Sequence, residues 1–169
     1  MKKVILLVIA TFLFIACKQN VQRYFSESPE INTLKAGITS YEAGDWATWR
    51  SHFADTAKIY VNSNESVTLD ARVSNLKEMS SAFSKYGFDH EEEYIEMVMD
   101  KENETWVYYW AQHNATIGAN NKQLSIPVHL AVQFVNGKIV EEHVFFDGTE
   151  MNKELEALAS LSSDEHNEE

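Results

Sequence analysis

Residues 123–147 read QLSIPVHLAVQFVNGKIVEEHVFFD, and this stretch decides the fold. Val128, Leu130, Val132 and Phe134 fall on alternate positions, the pattern of a strand with one face in a core. Asn136-Gly137 supplies the positive φ of a tight turn, and Lys138 to Asp147 returns as a second strand. Two registers are open. A two-residue type I′ turn pairs Val135 with Lys138, whereas a three-residue turn with Gly137 in αL pairs Phe134 with Lys138. We take the second, because it gathers Val128, Leu130, Val132 and Phe134 on one face with Val140, Glu142, Val144 and Phe146. Glu142 is then the only carboxylate on the apolar face of the last strand, where burial raises its pKa unless it is paired. His129 and His143 fall opposite each other on the outer face. Two histidines are too few for a metal site without a third ligand, so neither a metal nor a cofactor is expected.

Working upstream, Phe88 to Asp100 and Thr105 to Ile117 read as two further extended segments, separated by Lys101-Glu102-Asn103-Glu104. On 105–117 both faces are amphipathic: Val107, Tyr109, Ala111, His113 and Ala115 on one side, Trp106, Tyr108, Trp110, Gln112 and Asn114 on the other. Periodicity does not choose between them. Before the meander, Pro29, Ile31, Leu34, Ile38 and Tyr41 give an amphipathic helix stopped by Gly44. Asp45 caps a short helix with Trp46, Trp49 and Phe53 on one face. Thr56 to Asn62 reads as a strand. From Asp70, Val73, Leu76, Met79 or Ser80, and Phe83 predict a third helix ending near Gly87. Asp147-Gly148-Thr149-Glu150 fits a capping box before a last short helix carrying Met151, Leu155 and Leu158. Three helices followed by four meandering strands mean an α+β fold with a curved, mainly antiparallel sheet.

The chain begins with Lys2 and Lys3, an apolar run from Val4 to Ile15, and Ala16 before its single cysteine, Cys17. The twelve residues of this run span about 18 Å as helix, too short for a hydrocarbon core of about 30 Å, so residues 1–16 read as an export signal. Leu13-Phe14-Ile15-Ala16-Cys17 resembles a bacterial lipobox, with Phe14 where Leu is usual. The resemblance implies a lipoprotein of the cell envelope anchored through Cys17; the alternative is an ordinary secretory signal. Lys18, in place of an inner-membrane retention aspartate, points to the outer membrane. Two of the 14 basic residues and none of the 26 acids lie in the leader, so its removal takes the net charge from −12 to −14, which excludes nucleic acid as a partner. Residues 17–28 read as a tether, 29–158 as one domain, and 159–169 as an acidic disordered tail.

The element order, together with Tyr41-Glu42-Ala43-Gly44-Asp45-Trp46, Phe53-Ala54-Asp55 and Gly137-Lys138-Ile139-Val140 to Phe146-Asp147, resembles the nuclear transport factor 2-like superfamily, and within it the SnoaL-like domains. The resemblance implies a cone-shaped α+β barrel with three N-terminal helices packed on the curved sheet. It also implies the His113 side of 105–117 as the inner face, and dimerisation through the outer one. Its catalytic patterns fail residue by residue. The tyrosine and two aspartates of ketosteroid isomerases fall near Gly37, near Val61 and at His129 or Leu130. Tyr60-Val61-Asn62 is similar to the water-holding Tyr-x-Asn of limonene epoxide hydrolases, but their arginine and two aspartates correspond to Ala111, His113 and Val144.

The candidate pocket is Tyr60, Asn62, His113, Glu142 and Val144. Three functions compete: a lipid-anchored binder of a small hydrophobic or amphipathic molecule, an acid/base lyase, isomerase or hydrolase using Glu142 and His113, and an interaction module with a filled cone. A cavity of about 300 Å³ or more with Glu142 and His113 converging favours the enzyme, and an apolar cavity the binder. Mass spectrometry of the N-terminal peptide is expected to find an acylated Cys17 at the start of the mature chain; an unmodified cysteine in an uncleaved leader overturns that expectation.

Overall fold

The structure, a computed structural model, describes residues 22–165; Cys17, the signal and most of the tether lie outside them. The order of elements is β1 (Tyr24–Phe25), α1 (Pro29–Glu42), α2 (Trp46–Ser51), β2 (Phe53–Val61), β3 (Ser66–Val67), α3 (Leu69–Ser81), β4 (Phe83–Phe88), β5 (Tyr94–Met99), β6 (Thr105–Ile117), β7 (Gln123–Val135), β8 (Lys138–Phe146) and α4 (Thr149–Glu165). Among the described residues no helix is long and apolar enough to cross a membrane.

One mixed sheet runs β1-β5-β6-β7-β8-β2-β3, and β4 joins β6 beyond the end of β5. All its pairings are antiparallel except β2 with β8. The two thirteen-residue strands β6 and β7 form its spine. Their alternate residues, from Val107 to Ile117 and from Leu124 to Phe134, are buried on one face. The helices cover that face. Ser28 caps α1 through the Ile31 amide, 3.1 Å from its hydroxyl. Gly44 turns the chain at φ +66°, and Asp45 caps α2 through the Thr48 amide at 3.0 Å. These caps satisfy amides that a helix start leaves free. Ile31, Leu34, Ile38 and Tyr41 of α1 all pack inward. The His113 side of β6 is the inner one.

Several expectations are corrected. The Asn136-Gly137 turn is the two-residue type, with φ +52° and +75°, and it pairs Val135 with Lys138. A bulge then leaves Val140 without a partner, between the pairs Phe134–Ile139 and Gln133–Glu141. The extra residue lets both Ile139 and Glu142 face inward, whereas Val140 does not join them in the core. His143 therefore lies opposite Ala131, and His129 opposite Phe145, rather than facing each other.

The third helix stops at Ser81, and Phe83–Phe88 is a strand. Phe83 continues the helical spacing of Leu76 and Met79, but pairing with Ile117 on β6 prevails over that local pattern. The first long strand starts at Phe53 rather than Thr56. Residues Tyr24 and Phe25, within the expected tether, pair with Val98 and Met97. At the other end α4 continues to Glu165, past the expected boundary at residue 158.

Asn62, just after β2, lies in the left-handed region, φ +48°, a conformation that asparagine tolerates better than most residues. Its side chain works as a strand extension. Nδ2 donates to the Phe146 carbonyl at 2.8 Å, and Oδ1 accepts from the Phe146 amide at 3.1 Å. Asn62→Ala, which removes both bonds and the αL preference, is expected to lower unfolding stability by about 1–2 kcal/mol. Urea denaturation measures this, and the cavity described next is expected to keep its ligand affinity.

Candidate functional site

A cavity of about 100 Å³ lies between the helices and the concave face of the sheet. Its walls are mainly apolar: Ile38 from α1, Leu76 from α3, Val128 and Leu130 from β7, Val144 from β8, and Met151, with which α4 closes one side. Four polar side chains interrupt that wall, namely Tyr41, Arg72, His113 and Glu142.

They form two groups of different character. Tyr41 and His113 satisfy each other: the phenol oxygen lies 2.8 Å from Nε2 of the imidazole. The rings of Tyr41, Tyr86 and Phe88 pack around His113, with centroids 5.8, 6.4 and 5.0 Å away. Burial pushes the His113 pKa down to about 4, so at neutral pH the imidazole is uncharged, a hydrogen-bonding partner rather than a cation. Burial likewise raises the Tyr41 pKa, and Tyr86 adds to the rise.

Glu142 and Arg72 are not satisfied. Glu142 is 5% exposed, and its Oε2 is sealed from solvent without a hydrogen-bond partner among the described residues. Burial raises its pKa; the nearby charges of Arg72 and His143 only partly oppose that. Arg72 is half-buried as a residue, but its Nε is also enclosed and, among the described residues, unpartnered. Burial disfavours its charge, while Glu142 and Tyr41 favour it; a guanidinium stays protonated under these conditions. The two feel each other's field without meeting in an ion pair. A buried donor and a buried carboxyl, each left open, are costly to maintain.

A polar clasp holds the Phe88 wall in place. Glu42 Oε1 accepts from the Phe88 amide at 2.7 Å, and the His90 ring bridges Glu42 and Glu93 at 3.0 and 2.9 Å. The hydrogen bonds to those carboxylates raise the His90 pKa. Lys35 also pairs with Glu93, at 2.6 Å, so α1 is tied at two points to the segment that joins β4 to β5.

Of the residues expected in the pocket, His113, Glu142 and Val144 line the cavity. Tyr60 and Asn62 do not. Ile59 and Val61 pair with Glu142 and Val144 on the inner face, which sends Tyr60 outward with His143. There the two rings stack at 4.5 Å. An inward Tyr60 would also have brought in Lys58, which shares its parity. Asn62 is the strand-end clamp already described. Arg72 and Tyr41 are cavity residues that the sequence reading missed. Leu69, Arg72, Leu76 and Met79 recur at three- and four-residue spacing, so an arginine on the apolar stripe of a helix was the available signal. The cavity is smaller than the 300 Å³ expected of an enzyme site. Among the described residues no cluster of histidine, cysteine and carboxylate side chains is arranged to hold a metal.

No protein-family model matches the chain, and no curated protein matches it in sequence. Solved structures do share its fold. A protein of Shewanella putrefaciens CN-32 assigned as a SnoaL-like polyketide cyclase superimposes with a TM-score of 0.60 at 12% identity, covering 78% of this chain and 88% of its own. An NTF2-like protein of unknown function from Burkholderia pseudomallei K96243 gives a TM-score of 0.60 at 12% identity, covering 75% and 97%. A cystatin-fold protein of Novosphingobium aromaticivorans gives 0.53 at 19% identity, covering 70% and 99%. At these identities the likeness concerns architecture alone: the chain has the α+β fold of the nuclear transport factor 2-like proteins, SnoaL-like domains among them.

Proposed function

We propose that this protein is a cell-envelope binding domain, anchored by lipid at Cys17, whose cavity takes a small amphipathic molecule. The observation that carries this reading is the pair of unsatisfied buried groups, Glu142 Oε2 and Arg72 Nε, in a cavity whose remaining wall is mainly apolar. Such a wall takes an apolar body, and the Glu142 carboxyl and Arg72 guanidinium that interrupt it take a polar head. The export signal and lipobox-like Cys17 support the location. With β1 starting at Tyr24, the seven-residue step from Cys17 reaches at most about 25 Å, which would hold the domain close to the bilayer.

A second reading is acid/base catalysis by Glu142, favoured by its burial and raised pKa, since a carboxyl that exchanges its proton nearer neutrality is a better general acid or base. His113 does not join it as a second acid, being held neutral beside Tyr41. Native mass spectrometry of the purified protein identifies a retained ligand and separates the readings through two variants. For a binder, Val144→Trp fills the cavity and is expected to weaken binding at least tenfold, with Glu142→Gln having the smaller effect. For an enzyme, Glu142→Gln abolishes turnover of that ligand while the fold survives.

The outer sheet face is the proposed dimer surface. Tyr94, Trp110 and Phe145 are 53%, 42% and 48% exposed. Trp110 stacks on His129 at 4.2 Å, and the His129 and Phe145 rings lie 15° from parallel. These rings make a flat apolar strip across adjacent strands, whose burial contributes roughly 25 cal/mol per Å² against the cost of association. Sedimentation of the delipidated domain is expected to show a dimer that Trp110→Glu dissociates. A wild-type monomer at high micromolar concentration removes the proposal.

A further inference from the structure

We infer that the ligand of this cavity is a compact monocarboxylic acid, its carboxyl group placed between Glu142 and Arg72 with one proton retained between the two carboxyls. The inference rests on the small-molecule reading above and names its ligand class.

The polar wall leaves little else. Tyr41 and His113 already satisfy each other at 2.8 Å, so the head group must answer to the Glu142 carboxyl and the Arg72 guanidinium, the lining side chains whose Oε2 and Nε have no partner among the described residues. An apolar ligand leaves both unsatisfied. An amine meets the fixed charge of Arg72, and a polyol brings more hydroxyls than one polar corner accepts. A carboxylate accepts from the guanidinium with one oxygen and from a protonated Glu142 with the other, both charge-assisted bonds. The charges also close: one guanidinium and two carboxyls sharing one proton sum to zero, as a buried site requires. Size restricts the rest of the molecule. An apolar cavity of about 150 Å³ holds a benzene ring, so about 100 Å³ leaves room for a body of roughly three to five carbons by the same scale.

Retention of the proton gives the site a pH signature. The charged or titratable groups that bear on Glu142 are Arg72 from α3 and His143 beside it on β8; Tyr41 from α1 and His113 from β6 share the cavity and are neutral across the working range. Burial sets the Glu142 pKa above the ordinary carboxyl range. Below that raised pKa the carboxyl is already protonated, and a carboxylate binds without net proton exchange. Above it, each binding event takes up one proton, and affinity falls about tenfold per pH unit.

The test is calorimetric titration of the detergent-solubilised full chain with acetate, butyrate and hexanoate, and with butyramide and 1-butanol as uncharged counterparts. Butyrate is expected to bind at least tenfold more tightly than either uncharged compound. Buffers of different ionisation heat should report uptake of one proton on the high-pH limb. Arg72→Met is expected to lose butyrate at least tenfold, with Arg72→Lys recovering part of the loss. Glu142→Gln, whose amide still donates, should keep butyrate binding and lose the pH slope. If 1-butanol or butyramide binds as well as butyrate, or if the slope survives in Glu142→Gln, the carboxylic-acid inference is overturned while the amphipathic-binder reading stands. If butyrate binding is indifferent to Val144→Trp, its site is elsewhere and the inference fails. Absence of binding by every acid in the series also overturns it, and the retained ligand then judges the broader reading independently.

Discussion

Glu142 is held inward by two ladders at once, opposite Val132 across antiparallel β7 and beside Ile59 across parallel β2. Side chains alternate along a strand, so a one-residue slip in either ladder would exchange Glu142 for Glu141 or His143 and expose Val144 as well. The apolar partners Ile59 and Val132, both fully buried, resist that slip, because it would carry β8's inward residues out with it. The sheet thus fixes a carboxyl where the local environment alone would reject it. The bulge at Val140 makes this compatible with a tight turn: it absorbs one residue between Ile139 and Glu142 and leaves both on the concave side.

The cavity's polar groups divide by how completely they are answered. Tyr41 and His113 form a closed pair, neutral and ringed by aromatic side chains, which gives that wall shape and rigidity. Glu142 and Arg72 remain open. A protein at equilibrium tolerates such groups when something else gains from them, and stored polar potential in a concave apolar space is a feature of binding and catalytic sites. The clasp of Glu42, His90 and Glu93 lies just outside this arrangement and acts through backbone. By fixing the Phe88 amide it determines how far one aromatic wall stands from His113.

The alternating strands were legible in the sequence because each buries one face. Val128 to Phe134 pointed inward by apolarity; the inward side of Glu142 agrees with the structure although the register that led to it does not, because the bulge at Val140 offsets the tighter turn. The turn type was not legible, since Asn136-Gly137 serves either hairpin, and no local feature announced the bulge. Phe83 had helical spacing and strand chemistry together, and only the presence of β6 resolves the conflict. Tyr60 was misplaced by a resemblance at three residues, although Lys58 on the same parity argued against it. Arg72 went unread for a different reason: arginines on helices usually reach solvent, and its isolation from a partner appears only when α3 is laid over the sheet.

The short strand β1 has a consequence for the sheet as a whole. Tyr24 and Phe25 pair with β5, the Met99 amide donates to the Arg23 carbonyl at 2.8 Å, and the Arg23 guanidinium reaches the carbonyls of Met99 and Asp100. Backbone groups that would otherwise face outward along β5 are therefore occupied by the chain's own leading segment. An open strand of this kind is a template for another chain. A protein started at Pro29, where the sequence alone drew the domain boundary, would lose the Phe25 packing against the core and present the bare β5 edge to its neighbours in solution. Residues 23–25, within the segment taken for a tether, cover the strand edge that such pairing would use.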